Sequence, residues 1–235
     1  MARGKANGTP GGAAIARGRR EWLARVLLGG ASLPLLLRSA LAAGRGSGLL
    51  KAAGEVRVNG SAAQAGAAVR PGDSVITAPG STAVIVVGRD AFLLRGGSEL
   101  LTAGSNAAIA SLRLVTGKLL SVFGHGPRLI TTPTATIGIR GTGIYIETGA
   151  ERTYVCTCYG VVDLQASDMP EAKETVRTTH HDAPRYIYAH GDMPIQMIEP
   201  APVVNHTDAE LIMLEALVGR KPPFLDSGLD YKQRY

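Results

Sequence analysis

Residues 130–164 read ITTPTATIGIRGTGIYIETGAERTYVCTCYGVVDL. This stretch contains a Thr-Pro break, a glycine-rich run from Gly138 to Gly143, and a β-branched segment that carries Cys156 and Cys158. Val, Ile, Thr and Tyr favour extended backbone, whereas Gly and Pro mark the turns between strands. The stretch therefore predicts several short β-strands, and its least generic chemistry lies at the two cysteines.

Short runs of the same kind extend back to residue 52, and each is closed by a turn signal. An Asn-Gly pair between β-branched residues favours a hairpin because both residues tolerate a positive φ. Strands of about four to seven residues separated by turns predict an all-β sandwich, roll or solenoid over residues 52–165. The turn signals are Asn59-Gly60, Pro71-Gly72-Asp73, Pro79-Gly80-Ser81 and Gly88-Arg89-Asp90.

The C-terminal third has a different composition. Residues 166–204 predict additional strands and loops with a His-rich segment. Residues 205–219 predict a helix, since Thr207 or Asp208 can cap its start, Gly219 can close it, and Leu211 and Leu214 share a face. We expect this helix to dock on the β domain, with partner binding as the alternative. The tail, residues 220–235, is expected to be poorly ordered.

Residues 1–42 have the layout of a cleavable signal peptide: a basic region ending in Arg19-Arg20, an apolar run over 26–37, and a small-residue site at 40–42. The arginine pair resembles a twin-arginine export signal, and an ordinary secretory signal is the alternative. The apolar run is shorter than the ~20 residues needed to span a bilayer, and no transmembrane segment is expected in the mature chain. We expect a periplasmic or secreted bacterial protein that begins near Ala42/Ala43, with a loose start over residues 43–51.

The positive charge of the chain is concentrated in this leader. The formal net charge is +6, from 25 basic and 19 acidic residues. Residues 1–42 hold seven of the basic residues and one acidic residue, so the remainder carries 18 of each. A neutral remainder argues against a nucleic-acid partner.

Five blocks follow one another in the β region: Gly54-x-Val56-x-Val58-Asn59-Gly60, Val69-Arg70-Pro71-Gly72-Asp73-x-Val75-x-Thr77, Ser81-x-Ala83-x-Ile85, Gly117-x-Leu119 and Thr132-Pro133-x-Ala135-x-x-Gly138-Ile139-Arg140-Gly141-Thr142. In this order they resemble the periplasmic FecR domain. The resemblance covers roughly residues 52–165 and implies a β-solenoid-like, all-β domain.

In the best-known FecR proteins this domain is the sensing half of a transmembrane anti-sigma regulator in iron uptake. The present sequence shows neither a sigma-binding domain nor a joining membrane helix, so we expect that the anti-sigma role does not carry over. The fold predicted is a β-solenoid-like or rolled sheet of short strands with a C-terminal helix.

Cys156 and Cys158 lie two residues apart on a predicted strand, so their side chains share one face. A Cα separation of roughly 6.6 Å and parallel Cβ vectors argue against a disulfide between them. An exported protein would ordinarily pair two cysteines, and two thiolates that share a metal resolve this conflict.

Histidines that follow in the chain could complete such a site. An antiparallel return of residues 178–190 could bring His180 and His190 beside the thiolates, with His181 and His206 as substitutes. Two thiolates with two imidazoles predict a zinc, copper or iron–sulfur site.

Two other interpretations of these residues stay open. The cysteines could be inert core residues and the histidines solvated turn residues. A thiol enzyme could use Cys158, His181 and Asp182, although neighbours on a strand face opposite sides. The run from Gly138 to Gly143 lacks the lysine and the helix of a phosphate loop, so we predict a tight turn in which Arg140 pairs with a local carboxylate or carbonyl.

The sequence favours a non-enzymatic, exported binding module of the bacterial cell envelope, whose ligand or envelope partner and oligomeric state stay open. Metal binding is its most specific form. The alternative is a structural scaffold of an envelope complex in which the cysteines are inert.

Overall fold

The computed structural model describes residues 46–105, 108–189 and 196–226. The predicted signal peptide, His190 and the tail from residue 227 lie outside the described residues. The described residues form fifteen β-strands, one α-helix and one 3₁₀ turn. The prediction of an all-β fold with a C-terminal helix is confirmed.

Sheet A is antiparallel throughout. Two of its strands, β8 (Ala108–Val122) and β12 (Arg152–Ala166), also belong to the second sheet. In spatial order sheet A contains β1 (Gly48–Ala53), β5 (Thr82–Val87), β6 (Asp90–Leu94), the end of β8, β11 (Gly143–Thr148), the start of β12, β14 (Arg185–Tyr188) and β15 (Ile198–Pro200).

Sheet B has one parallel pair, between β8 and β9, and is otherwise antiparallel. In spatial order it contains β3 (Ser61–Ala62), β2 (Val56–Val58), β4 (Ser74–Thr77), β7 (Ser98–Ser105), the start of β8, β9 (Pro127–Thr131), β10 (Ala135–Arg140), the end of β12 and β13 (Lys173–Thr178).

The two long strands bend from one sheet into the other at glycines. Gly117 in β8 has φ +92° and Gly160 in β12 has φ +99°. A Cβ atom at Gly117 would lie 2.1 Å from Ser98 Oγ, and one at Gly160 would lie 2.3 Å from Thr142 Cγ2. These bends close β8, β9, β10, β12 and β11 into a five-stranded ring.

The solenoid expectation is therefore corrected to a pair of rolled, mostly antiparallel sheets. A solenoid would stack successive strands in parallel, whereas the tight turns of this chain fold successive strands back on one another. Asn59 and Gly60 have φ of 51° and 79° and join β2 to β3, so the Asn-Gly hairpin prediction is confirmed.

Both ends of the described β region are more regular than expected. Where a loose start over residues 43–51 was expected, Gly48–Ala53 form β1 and pair with β5. In the segment expected to be a poorly ordered tail, Pro223–Asp226 form a 3₁₀ turn in which Phe224 is buried. Apolar side chains at both ends, such as Leu49 and Phe224, are buried in the core. The free energy of this burial outweighs the flexibility that the local glycine and proline content predicts.

Sheet A is buried on both faces because alternate residues of its strands point to opposite sides. In β5, Ala83, Ile85 and Val87 belong to the inner core that the two sheets share. Val84 and Val86 belong to an outer core, on the other face, beneath the C-terminal segment.

Helix α1 (Asp208–Leu217) covers this outer core with Leu211 and Leu214. Thr207 is its N-cap and forms a capping box with Glu210. At the other end Gly219 has φ +72°. The amides of Gly219 and Arg220 bond to the carbonyls of Ala216 and Glu215 respectively, which is a Schellman motif. The chain therefore sets both limits of the helix by local hydrogen bonding.

Candidate metal centre

Strand β12 presents both cysteines to the outer core. Tyr154, Cys156 and Cys158 alternate onto the outer face, and both cysteines are 0 % exposed. At this point Gly143 pairs with Tyr159 and Ile144 with Thr157, so Cys158 is the extra residue of a β-bulge. Bulges re-aim side chains and recur beside functional sites.

The turn between β13 and β14 brings His181 against the cysteines. Its backbone amide donates to Cys158 O at 3.0 Å, and its Nδ1 lies 3.4 Å from Cys156 Sγ. His181 has φ +53°, which is an uncommon conformation for a residue with a side chain. The Asp182 carboxylate supports the turn by accepting bonds from the Thr179 and His180 amides.

His206 enters from the segment that precedes α1. Its ring stacks on Tyr145 with a centroid separation of 4.5 Å, and its Nε2 lies 3.0 Å from His181 Nδ1. The preceding residue, Asn205, has φ +59°, so a left-handed backbone residue occurs at His181 and directly before His206. Such conformations cluster at binding and catalytic sites.

These four buried side chains are called the Cys/His centre: Cys156, Cys158, His181 and His206. One donor atom from each lies within 4.8 Å of all the others. A tetrahedral ion with metal–sulfur distances of about 2.3 Å and metal–nitrogen distances of about 2.0–2.1 Å places its donor atoms roughly 3.3–3.8 Å apart. The centre is compact enough for one ion.

Neighbouring acceptors determine which ring nitrogens carry protons. The carboxylate of Asp208 accepts from His181 Nε2 at 3.0 Å, and the carbonyl of Val204 accepts from His206 Nδ1 at 2.7 Å. In each neutral ring the other nitrogen then carries a lone pair, and these two lone pairs face each other. Metal-ligating histidines have this arrangement, with the second nitrogen held by a carboxylate or a carbonyl.

The electrostatics of the centre favour a thiolate at one cysteine. A hydrogen bond from Cys158 and interactions with the rings of His181 and His206 lower the pKa of Cys156, against the opposing effect of burial. Burial raises the pKa of Cys158, and the neighbouring Cys156 raises it further. Burial lowers the pKa of His181, but Cys156 and Asp208 raise it more, so the net shift is upward. A cation at the centre would stabilise both thiolates.

The structure separates the histidines predicted from the sequence. The substitutes, His181 and His206, join the two cysteines, whereas His180 Nε2 contacts Asp208 Oδ1 at 2.9 Å. His190 lies outside the described residues. The predicted antiparallel return of the chain does occur, since Tyr188 pairs with Arg152. Asp208 was missed because the sequence shows it only as a helix-start residue.

The structure does not bring together Cys158, His181 and Asp182 in the way that the thiol-enzyme interpretation requires. Asp182 accepts backbone hydrogen bonds within its own turn. The hydrogen-bonded series is instead Cys156, His181 and Asp208, an order that resembles an activated nucleophile. Cys156 is 0 % exposed, and a substrate must reach a nucleophile. The geometry suits a buried ligand better than a reactive thiol.

The other distinctive residues of the 130–164 stretch have a structural role. The predicted tight turn is shorter than expected, because Gly138 and Arg140 belong to β10. Arg140 pairs at 3.1 Å with the carboxylate of Asp163 on the neighbouring strand β12 rather than with a group in its own turn. The hydroxyls of Thr132 and Thr134 each lie 2.7 Å from that of Thr153. The Thr-Pro block therefore anchors the start of β10 to β12.

Comparisons with known proteins identify no relative by sequence. No family model matches the chain, and no curated protein matches it. Two crystal structures of a proposed anti-sigma factor from Parabacteroides distasonis ATCC 8503 resemble it in fold, each with a TM-score of 0.44 and 13 % identity. Each match covers 55 % of this chain and 58 % of that one. Within the described residues, no helix is long and apolar enough to cross a membrane.

Proposed function

We propose that the protein is a non-enzymatic, FecR-like binding module of the bacterial envelope that holds a structural transition-metal ion in the Cys/His centre. One observation carries the metal assignment: four buried donor atoms converge within 4.8 Å. Two of them are imidazole nitrogens, His181 Nδ1 and His206 Nε2, whose lone pairs face each other. Two thiolate sulfurs and two imidazole nitrogens are a common ligand set for one divalent ion, and these four lie close enough together to share it.

Zinc is the ion that the donor set favours most. Two thiolates and two neutral imidazoles balance the charge of a divalent ion, and closed tetrahedral Cys₂His₂ sites are the usual structural zinc sites. Thiolate ligands also suit Cu(I). Donor atoms that all lie within 4.8 Å of one another suit one ion better than a two-iron cluster, which needs a separate ligand pair on each iron.

The ion would join three separate parts of the chain. Cys156 and Cys158 come from β12, His181 from the turn after β13, and His206 from the segment before α1. The four side chains are at most 4 % exposed, so no ligand position opens to solvent. This closure supports a structural ion over a catalytic one.

Metal analysis of the mature protein tests the proposal. The protein is purified without chelators and its metal content measured by mass spectrometry; about one zinc or copper ion per chain is expected. Replacement of the bound ion by Co²⁺ should give the visible absorption of tetrahedral thiolate–cobalt coordination. A Cys156→Ser/Cys158→Ser variant should lose both signals, while His125→Ala, at an exposed histidine, should keep them.

The contrary result is a wild-type protein that carries no metal and binds none when supplied with Zn²⁺ or Cu⁺. Free, unreactive thiols in that protein would favour the scaffold alternative with inert cysteines. Thiols that react rapidly at neutral pH would favour the thiol enzyme.

Export through the twin-arginine route is the cellular part of the proposal. A protein that folds and acquires its ion before export would use a route that moves folded chains. A fusion of residues 1–45 to a reporter tests this, and Arg19→Lys/Arg20→Lys should abolish export while Arg17→Lys should not. Export that depends on the general secretory route alone would contradict it.

A further inference from the structure

The first residue of helix α1 contacts the Cys/His centre. Asp208 Oδ1 accepts from His181 Nε2 at 3.0 Å and from His180 Nε2 at 2.9 Å. The N-cap residue, Thr207, therefore lies between a residue of the centre, His206, and the acceptor of another, Asp208. Residues 206–208 therefore contribute both to the start of the helix and to the surroundings of the centre.

We propose that Asp208 is the positioning residue of the centre, and that through Asp208 and His206 the bound ion fixes helix α1 on sheet A. The inference rests on the proposed function, because it needs a bound ion. Asp208 lies outside the Cys/His centre. It holds the proton on His181 Nε2 and so directs the Nδ1 lone pair at the centre.

Helix α1 depends on such support because it is short. It has ten residues, and isolated helices shorter than about 12–15 residues are marginal in water. Leu211 and Leu214 pack into the outer core, and Glu210 pairs with Arg95 at 2.9 Å. Each of these contacts requires the helix to begin where His206 and Asp208 place it.

The bound ion would bridge His181 Nδ1 and His206 Nε2, which face each other across 3.0 Å, and its removal would end that bridge. His206 would then lose its tie to the centre, and the start of α1 would loosen. The helix and its flanking segment should therefore be held more tightly in the metal-loaded protein.

Hydrogen exchange on the full-length mature protein tests this without any substitution. Backbone amides of residues 204–219 should exchange at least about tenfold faster after metal removal, whereas those of β10, in the inner core, should change little. If wild type binds the ion but these amides exchange equally with and without it, the inference is overturned and the metal site stands. If wild type binds no ion, the proposed function itself has failed.

Substitution at Asp208 tests the positioning role. Asp208→Asn should weaken Zn²⁺ binding by about 10–100-fold, as expected for an outer partner of a ligating histidine. The Co²⁺ spectrum should remain tetrahedral, because the four ligands are intact. Asp208→Glu should recover part of the affinity.

Asp163→Asn is the matched control, since Asp163 is an exposed carboxylate on the opposite half of β12 and should bind Zn²⁺ like wild type. Wild-type affinity in Asp208→Asn would overturn the positioning role. So would a changed Co²⁺ spectrum in Asp208→Asn, because it would make Asp208 a ligand.

Discussion

His206 Nε2 lies 3.0 Å from His181 Nδ1 in the outer core. The opposite nitrogen of each ring donates to a protein acceptor, so neither of the facing nitrogens carries a proton in a neutral ring. Two lone pairs at this distance repel each other unless a cation lies between them. Together with the nearby sulfurs of Cys156 and Cys158, these two nitrogens form the candidate metal site.

The structure predicts which histidine is a ligand. His181→Ala should weaken Zn²⁺ binding by on the order of 100-fold or more, because a structural ion contributes about 10–16 kcal/mol through four ligands. His180→Ala should weaken it by at most about tenfold, because His180 is not one of the four ligands and contacts the centre through Asp208 and the His181 ring. Competition with a chromophoric chelator measures both. Equal losses in the two variants would contradict the assignment of ligands.

Metal removal should destabilise the protein. An ion at about 1,000 times its Kd contributes about 4 kcal/mol. For a domain of this size each kcal/mol is worth roughly 2–4 °C, so chelation should lower Tm by on the order of 10 °C. Scanning calorimetry with and without a chelator measures the shift. The Cys156→Ser/Cys158→Ser variant should show no chelator-dependent shift, and a shift of equal size there would assign the effect to a different site.

The ion pair between Glu215 and Arg220 should be important for stability. Glu215 is 3 % exposed, accepts from Tyr159 Oη and pairs with Arg220 Nε at 2.6 Å. Arg220→Met leaves a buried carboxylate without its cation and should cost about 3 kcal/mol in the free energy of unfolding. Urea denaturation measures this cost.

Arg140→Met is the control for Arg220→Met, because the ion pair of Arg140 with Asp163 is exposed. It should cost less than about 1 kcal/mol. Adding Glu215→Gln to Arg220→Met should recover part of the lost stability. Equal costs for the two arginine variants would show that the buried pair has no special role.

Glu147 should contribute to acid sensitivity. Partial burial raises its pKa, but hydrogen bonds from Tyr145, Asn205 and Lys118 outweigh this effect and leave the pKa below 4.5. A carboxyl whose pKa is lower in the folded than in the unfolded state stabilises the fold above its unfolded pKa, and this contribution is lost as the pH falls. The stability difference between wild type and Glu147→Gln should therefore shrink as the pH is lowered below about 4.5.

Urea denaturation at pH 6 and at pH 3.5 measures the shrinkage for Glu147. Glu199→Gln, on the edge strand β15, is a matched control and should show a smaller change. A difference between wild type and Glu147→Gln that is constant over this range would contradict the linkage.

Local signals predicted much of the fold. The Asn59-Gly60 turn, the strand runs and the capping residue Thr207 act over a few residues, so the sequence reveals them directly. The sheet pairing could not be predicted in this way, because β8 and β12 each belong to both sheets. Their bends at Gly117 and Gly160 depend on close approach to Ser98 and Thr142 respectively. Both contacts join residues that are far apart in the chain.

The residues of the candidate centre could also be predicted only in part. The sequence by itself determined that Cys156 and Cys158 share a face, since period-two alternation is a property of any strand. Only the tertiary structure decided that His181 and His206 join them and that Asp208 directs one ring. These residues lie 25 or more positions from Cys156. The packing of a turn and a helix start on the outer face of sheet A brings them together, and no local pattern in the chain encodes that packing.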